Sequence, residues 1–409
     1  MTNEKIPPGY KKTDVGVIPE DWEVKNFDNI LISIPTKDYQ LQTTEYKNIG
    51  KYPIIDQGQK SIVGFSDREE KVFFDIQDGV IIFGDHTRIV KYYIRPFIVG
   101  ADGVKIIKRK KEVVDLKYVY YYLNLHKIPE TGYNRHFKFL KEMNFLLPPL
   151  PEQRAIVRVL SDVDKLIECL DKLIEKKKLI KKGAMQQLLT GKKRLPGFKG
   201  EWVKKKLGET GYCQSGNGFP LKYQNLKTGV YPFFKVADLS RKGNSIFLKF
   251  SNHWITEDIR RKIGAFVFPQ NAIIFAKIGA AIFLERKRIL FQNSCIDNNM
   301  MGFIIDSSQA DYRFIYYIFN TLSLSRLVES TALPSISKNN IENLEISLPP
   351  SLEEQQAIAQ ILSDMDAEIE ALEKKKEKYE MIKKGMMELL LTGKVRVKEE
   401  NGKIRRLRV

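Results

Sequence analysis

The chain has 409 residues, 43% of them hydrophobic, which is enough for two or three domains with buried cores and excludes disorder as the default state. Lysine and arginine total 68 against 50 aspartates and glutamates, a formal net charge of +18, so the expected partner is polyanionic: nucleic acid or an anionic membrane surface. The N-terminus MTNEKIPPGYKK lacks an apolar leader, no stretch reaches the roughly 20 apolar residues that span a bilayer, and Cys169, Cys213 and Cys295 stand apart without a CxxC, so a soluble cytoplasmic protein with reduced thiols is expected.

Residues 1–150 read as a first domain, entered through GVIPEDWEV around Trp22. Short apolar runs punctuated by glycine, as in GVIIFGDHTRIVKYYIRPFIVGADGVKII, predict strands. Leu116–Leu125 predicts a helix whose aromatic residues recur at helical spacing and belong to a core rather than to a base-stacking platform. Loops beside the strands hold His86, Thr87, Arg88 and Lys91 in one cluster and Arg135, His136 and Lys138 in another. Arginine can pair with a guanine edge, and threonine or histidine with base edges or phosphate, so these are candidate DNA contacts.

Residues 151–192 predict a long helix. Ile156, Leu160, Val163, Ile167, Leu170 and Ile174 alternate steps of four and three, the seam of a coiled coil. Pro151 suits the first turn and Gly191 the C-terminal cap. At 1.5 Å per residue, about 38 residues reach roughly 57 Å.

Residues 193–350 read as a second strand-rich domain, entered through LPGFKGEWV around Trp202, with strands in GAFVFPQNAIIFAKIGAAIFLE and a helix over Ala310–Leu322. Its candidate DNA contacts are Lys235 and Asp238 in KVADL, Lys277 in AKIG, Asn298 and Asn299 in DNNM, and Ser335, Ser337, Lys338, Asn339 and Asn340 in PSISKNN. Read singly, each has a bland alternative: Asn298 as a turn cap, Asp238 as a backbone acceptor, a lysine as a solvated charge.

Residues 351–394 repeat the first helix. Glu152 falls on Glu354 and the register holds without a gap to Lys192 on Lys394, both copies ending Leu-Leu-Thr-Gly-Lys. Ile358, Leu362, Met365, Ile369 and Leu372 restore the seam, Ser351 with Glu354 forms a capping box, and Gly393 caps the end. Gly183 and Gly385 sit inside the helical pattern at about 1 kcal/mol each against alanine, which predicts close approach of a neighbouring backbone. Because helix one leads to the second domain and helix two leaves it, paired helices must run antiparallel. The expected fold class is therefore α+β: two strand-rich domains in tandem, each followed by a long helix, the helices pairing as an antiparallel coiled coil with pseudo-twofold symmetry. Residues 395–409 form a basic tail expected to be mobile.

Catalytic motifs are missing. There is no GxxxxGK[ST] loop, no glycine-rich set for S-adenosylmethionine, and Leu147-Pro148-Pro149-Leu150 is apolar where an amine-binding tetrapeptide needs a polar residue. The acidic groups of Pro19-Glu20-Asp21-Trp22-Glu23 are crowded into one short stretch and mostly lost around Trp202, so neither a metal nuclease nor any other metal site is read there.

The duplicated entries LPPLPEQRAI and LPPSLEEQQAI, the LSDVD and LSDMD continuations, both LLTGK endings and the GDHTR, GADGVK, KIG and DNNM patches give the chain its resemblance to the specificity subunit of type I restriction-modification systems, over nearly its whole length. The resemblance implies a non-catalytic subunit that recognises a bipartite, asymmetric site in double-stranded DNA. Its antiparallel helices would fix the spacer and dock two modification subunits and the restriction subunits, with S-adenosylmethionine, ATP and Mg on those partners and no cofactor here. Candidate subunit contacts are Gln153, Arg154, Lys181, Lys182, Gln355, Gln356, Lys383 and Lys384, whose alternative role is solvation. GDHTR has no counterpart in the second domain, where KIG and DNNM stand instead, so the half-sites are expected to differ. Two rivals stand beside this reading: the DNA-reading end of a combined restriction-modification enzyme, and a basic coiled-coil scaffold.

Overall fold

The computed structural model describes residues 6–100, 102–110, 112–132, 134–329, 333–400 and 402–406. It divides into unit 1, Met1–Lys172 with Glu373–Val409, and unit 2, Leu173–Leu372. Each domain expected from the sequence thus takes in half of each long helix, because the two halves of a helix pack into different cores.

Unit 1 opens with the hairpin β1 (Tyr10–Thr13) and β2 (Gly16–Pro19), then β3 (Glu23–Asn26) and the single turn α1 (Phe27–Ile30). Eight strands follow: β4 (Leu31–Ile34), β5 (Tyr52–Ile55), β6 (Gly64–Ser66), β7 (Val72–Phe73), β8 (Val80–Gly84), β9 (Val90–Tyr93), β10 (Phe97–Val99) and β11 (Val104–Arg109). They form two four-stranded sheets, ordered β6-β5-β10-β7 and β4-β11-β8-β9. The apolar run of β8 is buried on both faces, which explains its lack of alternation. α2 (Leu116–Leu125), α3 (Phe137–Lys141) and β12 (Asn144–Leu147) lead to α4 (Leu150–Leu188). Asp115 caps α2 by accepting the Lys117 and Tyr118 N–H groups, and Tyr118 and Tyr121 are fully buried, so the aromatic stripe is core.

Unit 2 repeats the plan. Its strands are β13 (Val203–Lys206), β14 (Gly211–Ser215), β15 (Tyr231–Phe234), β16 (Phe247–Leu248) and β17 (Trp254–Ile255), then, after α5 (Glu257–Lys262), β18 (Ile273–Ala276), β19 (Lys287–Leu290), β20 (Cys295–Ile296) and β21 (Met300–Ile305). α6 (Tyr312–Thr321), capped by Asp311, precedes α7 (Lys338–Glu342), β22 (Glu345–Leu348) and α8 (Leu352–Leu390). The sheets are β14-β21-β18-β19-β16 and β17-β15-β20.

Hydrogen-bond register matches the two units at the ends of their central strands. β5 runs parallel to β10 and β15 parallel to β20, and each pairing ends alike: Gly100 donates to the Ile55 carbonyl at 2.8 Å, Asp297 to that of Phe234 at 3.0 Å. β8 pairs antiparallel with β11 as β18 does with β21. Beyond them Asp85 donates to Gly103 and accepts from His136, while Lys277 donates to Asn299 and accepts from Ile336. GDHTR and AKIG therefore occupy one framework position, and the expectation that GDHTR has no counterpart is corrected: the place is shared and the chemistry is not.

The long helices pair antiparallel within each unit. In unit 1 Asp164 and Asp171 of α4 meet Lys383 and Lys376 of α8, each at 2.6 Å. In unit 2 the signs exchange: Lys177 meets Glu368 at 2.6 Å and Lys181 meets Asp366. Tyr121 donates to Asp164 at 2.6 Å and Tyr317 to Asp366 at 2.8 Å, which ties each coil half to its own domain. Gly191 and Gly393 take φ of 70° and 74°, the left-handed caps their positions required. The capping box is only half formed, because Ser351 accepts the Glu354 N–H while the Glu354 carboxylate holds Arg194 at 2.6 and 2.7 Å. Its repeat partner Glu152, 5% exposed, holds Arg396 at 2.6 Å and also accepts the Trp22 indole N–H at 3.2 Å. Within unit 2 Trp202 Nε1 is buried without a hydrogen-bond partner among the described residues.

The described residues of the basic tail, 395–400 and 402–406, are tied down rather than loose. β23 (Val397–Glu400) and β24 (Lys403–Arg406) form a hairpin; Val397 is buried in the unit 1 core, Ile404 packs against it, and Arg158 pairs with Glu399. Gly183 and Gly385 differ from expectation too: a Cβ at either would meet nothing within 4 Å among the described residues, so no backbone approaches them.

Candidate nucleic-acid interface

In unit 1 a polar cavity of about 1110 Å³ opens where the strand-end loops converge. His86 and Arg135, both expected, line it together with Lys37, Gln40, Gln57, Asp102, Lys105 and Asn134, which the sequence did not single out. Gln57 joins three loops: its amide donates to the Asp102 carbonyl at 2.9 Å and accepts the His86 N–H at 3.2 Å, and its own carbonyl accepts the Thr87 hydroxyl at 2.5 Å. Glycine is required beside it, since a Cβ on Gly103 would fall 2.7 Å from Gln57 Nε2 and φ there is 86°.

The other expected residues of unit 1 are placed differently. Arg88, at φ 61°, pairs with Glu130 at 2.8 Å and lines a separate cavity of about 580 Å³ with Lys91, Tyr92, Tyr120 and Lys127. Lys91 is corrected to a structural tie: its ammonium donates to the Asp56 and Lys60 carbonyls, and burial lowers its pKa against the opposing pull of Asp56. His136 is corrected likewise. It is 1% exposed, with its ring against the Asp85 carbonyl at 3.0 Å, so it cannot reach a duplex. Lys138 is exposed, over the Phe139 ring at 4.8 Å.

In unit 2 register bonds gather Lys277, Asn299 and Ser335 at one edge: Lys277 N–H donates to Asn299, and Ile278 bridges to Ser335. Asn298 and Asn299 are exposed there, and Lys277 Nζ donates to the Ser215 hydroxyl at 2.9 Å. Lys235 follows β15 and donates to Gln224 at 3.0 Å. Asp238 is corrected to a cap: 6% exposed, it accepts the Lys235 N–H at 2.8 Å, and burial raises its pKa. Burial also raises Asp297 and lowers Lys277, since each charge sits in a partly dry edge. Lys338 and Asn339 stand exposed at the start of α7, Lys338 within 3.5 Å of Glu342; Ser337 caps that helix and Asn340 bonds Glu329 at 2.9 Å.

On the helices, Gln153 and Gln355 are corrected from surface contacts to buried anchors, 1% and 3% exposed, accepting the N–H of Asp115 and Asp311 at 2.8 and 2.9 Å. Lys181 and Lys383 are occupied by the coil ion pairs already described. Arg154, Lys182, Gln356 and Lys384 remain exposed. Beside them stand apolar pairs that periodicity alone did not mark as exposed: Leu179 and Ile180 at 68% and 48%, and at the repeat positions Met381 and Ile382 at 64% and 40%.

Two edges of matched frame and unlike polar chemistry, in units that share the repeated helices, agree with the sequence-family comparison. The family model for the type I restriction modification DNA specificity domain matches residues 19–178 and 199–381. The chain belongs to this family. Similar members include the MjaVIII specificity subunit of Methanocaldococcus jannaschii, 28% identical over 94% of this chain and 95% of that one, and the EcoR124I/EcoR124II specificity subunit of Escherichia coli, 24% identical over 81% and 83%. The fold is similar to the type I system S subunit from M. genitalium, with a TM-score of 0.62 at 16% identity over 90% of this chain and 96% of that one. The family is a DNA-specificity rather than a catalytic one. Among the described residues no group of His, Cys, Asp or Glu could hold a metal ion, and no helix is long and apolar enough to cross a membrane.

Proposed function

We propose that the two units of this type I specificity subunit read two unlike halves of one duplex DNA site separated by a fixed gap, and that the exposed helix faces carry the modification subunits. The observation supporting two readers is the shared frame: equivalent strands end at Asp85 with His86 in unit 1 and at Lys277 with Ile278 in unit 2. Direct readout depends on donor and acceptor patterns, so edges of different chemistry select different bases. Arg135, His86 and Thr87 then serve the first half-site, and Lys277, Asn298, Asn299 and Ser335 the second. Surface cations such as Lys138 and Lys338 supply phosphate contacts, whose counterion release makes affinity fall steeply with salt.

Partner docking rests on the apolar pairs Leu179/Ile180 and Met381/Ile382, each followed by an exposed lysine and a glycine with open space above it. Repeated exposed apolar groups with room for a close backbone suit a protein partner. S-adenosylmethionine, ATP and Mg belong to the partner subunits on this reading. The test is selection of duplexes from a randomised pool by the chain with its modification subunit. A split, asymmetric motif is expected; one contiguous motif, a palindrome or none would refute it and favour a scaffold. Methylation or cleavage by the isolated chain would instead favour a combined enzyme.

A further inference from the structure

We propose that Lys277 reads a guanine, through the O6 and N7 acceptors of its major-groove edge, in the half-site served by unit 2. The inference rests on the two-reader function proposed above and adds a residue and a base to it. The duplication allows an internal comparison: a position that keeps its chemistry in both units serves the frame or the phosphates, and one that reverses it serves what differs between the half-sites.

The strand-end position reverses. In unit 1 Asp85 is 3% exposed and does structural work, its carboxylate accepting the Phe137 N–H at 2.8 Å at the start of α3. In unit 2 that duty has passed to Ser337, whose hydroxyl accepts the Asn340 N–H at 3.2 Å and caps α7. The strand end is thereby released from capping, and a lysine stands there. Among the described residues Lys277 makes no ion pair, and the one hydrogen bond of its ammonium goes to Ser215 at 2.9 Å, leaving two of its three donors unused. The side chain is half-buried, so it is held in place rather than sweeping through solvent. Lysine offers donors only, and the base edge presenting acceptors side by side in the major groove is guanine. Burial lowers the pKa of this ammonium, since desolvation disfavours its charge. Lys138 and Lys338 behave in the opposite way. Each lies two residues beyond the N–H that binds the strand-end carbonyl, both are exposed, and the charge is the same in both units, which suits phosphate.

The experiment is the duplex selection with full-length Lys277→Gln, Lys277→Arg and Lys138→Gln variants, each with the modification subunit. Lys277→Gln should lose one guanine from one half of the motif, by about 10- to 100-fold in preference, with the other half and the gap unchanged. Lys277→Arg should keep that guanine, and Lys138→Gln should weaken binding evenly with the motif intact. If Lys277→Gln unfolds the unit, Lys277→Arg decides, since loss of the guanine at a wild-type melting temperature overturns the proposal. An unchanged motif in a folded Lys277→Gln also overturns it, with or without even weakening. A wild-type chain that yields no split motif refutes the two-reader function itself, so the two failures are distinct.

Discussion

Replacing Arg396 by alanine tests whether the last segment of the chain holds the first unit together. The Glu152 carboxylate, 6% exposed in its side chain, receives Arg396 at 2.6 and 2.8 Å, the Trp22 indole at 3.2 Å and the Val397 N–H at 3.4 Å. Removing the guanidinium leaves a buried carboxylate with two neutral donors, and breaking a buried pair from one side costs about 3–5 kcal/mol. For a unit of this size, 1 kcal/mol moves the melting temperature by about 2–4 °C, so a fall of roughly 6–20 °C is expected. Glu152→Gln removes the charge instead and leaves Arg396 bonded to Asp21 at 2.7 Å, so Arg396→Ala in that background should cost only about 1 kcal/mol. Hydrogen exchange read by mass spectrometry separates the units, because peptides of each report their own opening. Equal loss of protection in both units, or the same cost of Arg396→Ala with and without Glu152, would refute the reasoning. Arg194→Ala should mirror the effect in unit 2 through Glu354, 1% exposed.

Tyr121→Phe and Tyr317→Phe each remove a hydrogen bond to a coil aspartate, and each should cost about 1.5–3 kcal/mol in its own unit by denaturant titration followed by hydrogen exchange. Burial pushes the Cys295 thiol up to about 12 and raises Cys213 as well, so at pH 8 maleimide should label the exposed Cys169 alone, counted by intact mass. Burial opposes ionisation of Glu285, but the Lys287 ammonium and the Ser325 and Leu324 N–H groups outweigh it and bring its pKa down to about 2. Its folded pKa therefore lies below the unfolded value of about 4.3, so its stabilisation is full above that pH and is lost as pH falls towards 2. Glu285→Gln should destabilise unit 2 at pH 7, with the gap to wild type closing between about pH 4.5 and 2 in urea midpoints.

The long helices were legible because a 3.6-residue period, cap residues and an ungapped duplication all speak locally. The strands of each reader were legible for the same reason, since β8 and β18 are unbroken apolar runs between turn residues. What escaped notice is written across the sequence rather than along it. Gln153 and Gln355 look like surface amides on a polar helix face, yet the helix start lies against α2 or α6 and turns them inward. Gln57 carries no motif; its importance comes from three loops that meet only in the fold. GDHTR and AKIG match at no aligned position, and only the ladder register aligns Asp85 with Lys277. The tail alternates valine or isoleucine with charge in a stretch too short to be told from disorder, and burial of Val397 settles it.

The order of synthesis follows from the way the chain closes. Unit 2 is contiguous, Leu173–Leu372, whereas unit 1 needs residues from both sides of it in the sequence. On a ribosome adding about 5–20 residues per second, the first unit stays open on the order of tens of seconds after its opening segment has emerged. The second unit needs no later residue and is complete earlier, although it is encoded later. A product terminated before Arg396 would hold one finished reader and one in which Glu152 lacks its guanidinium partner and the core lacks Val397 and Ile404. Completion of the first reader thus waits on the segment from Glu373 onward, synthesised after the whole of the second reader.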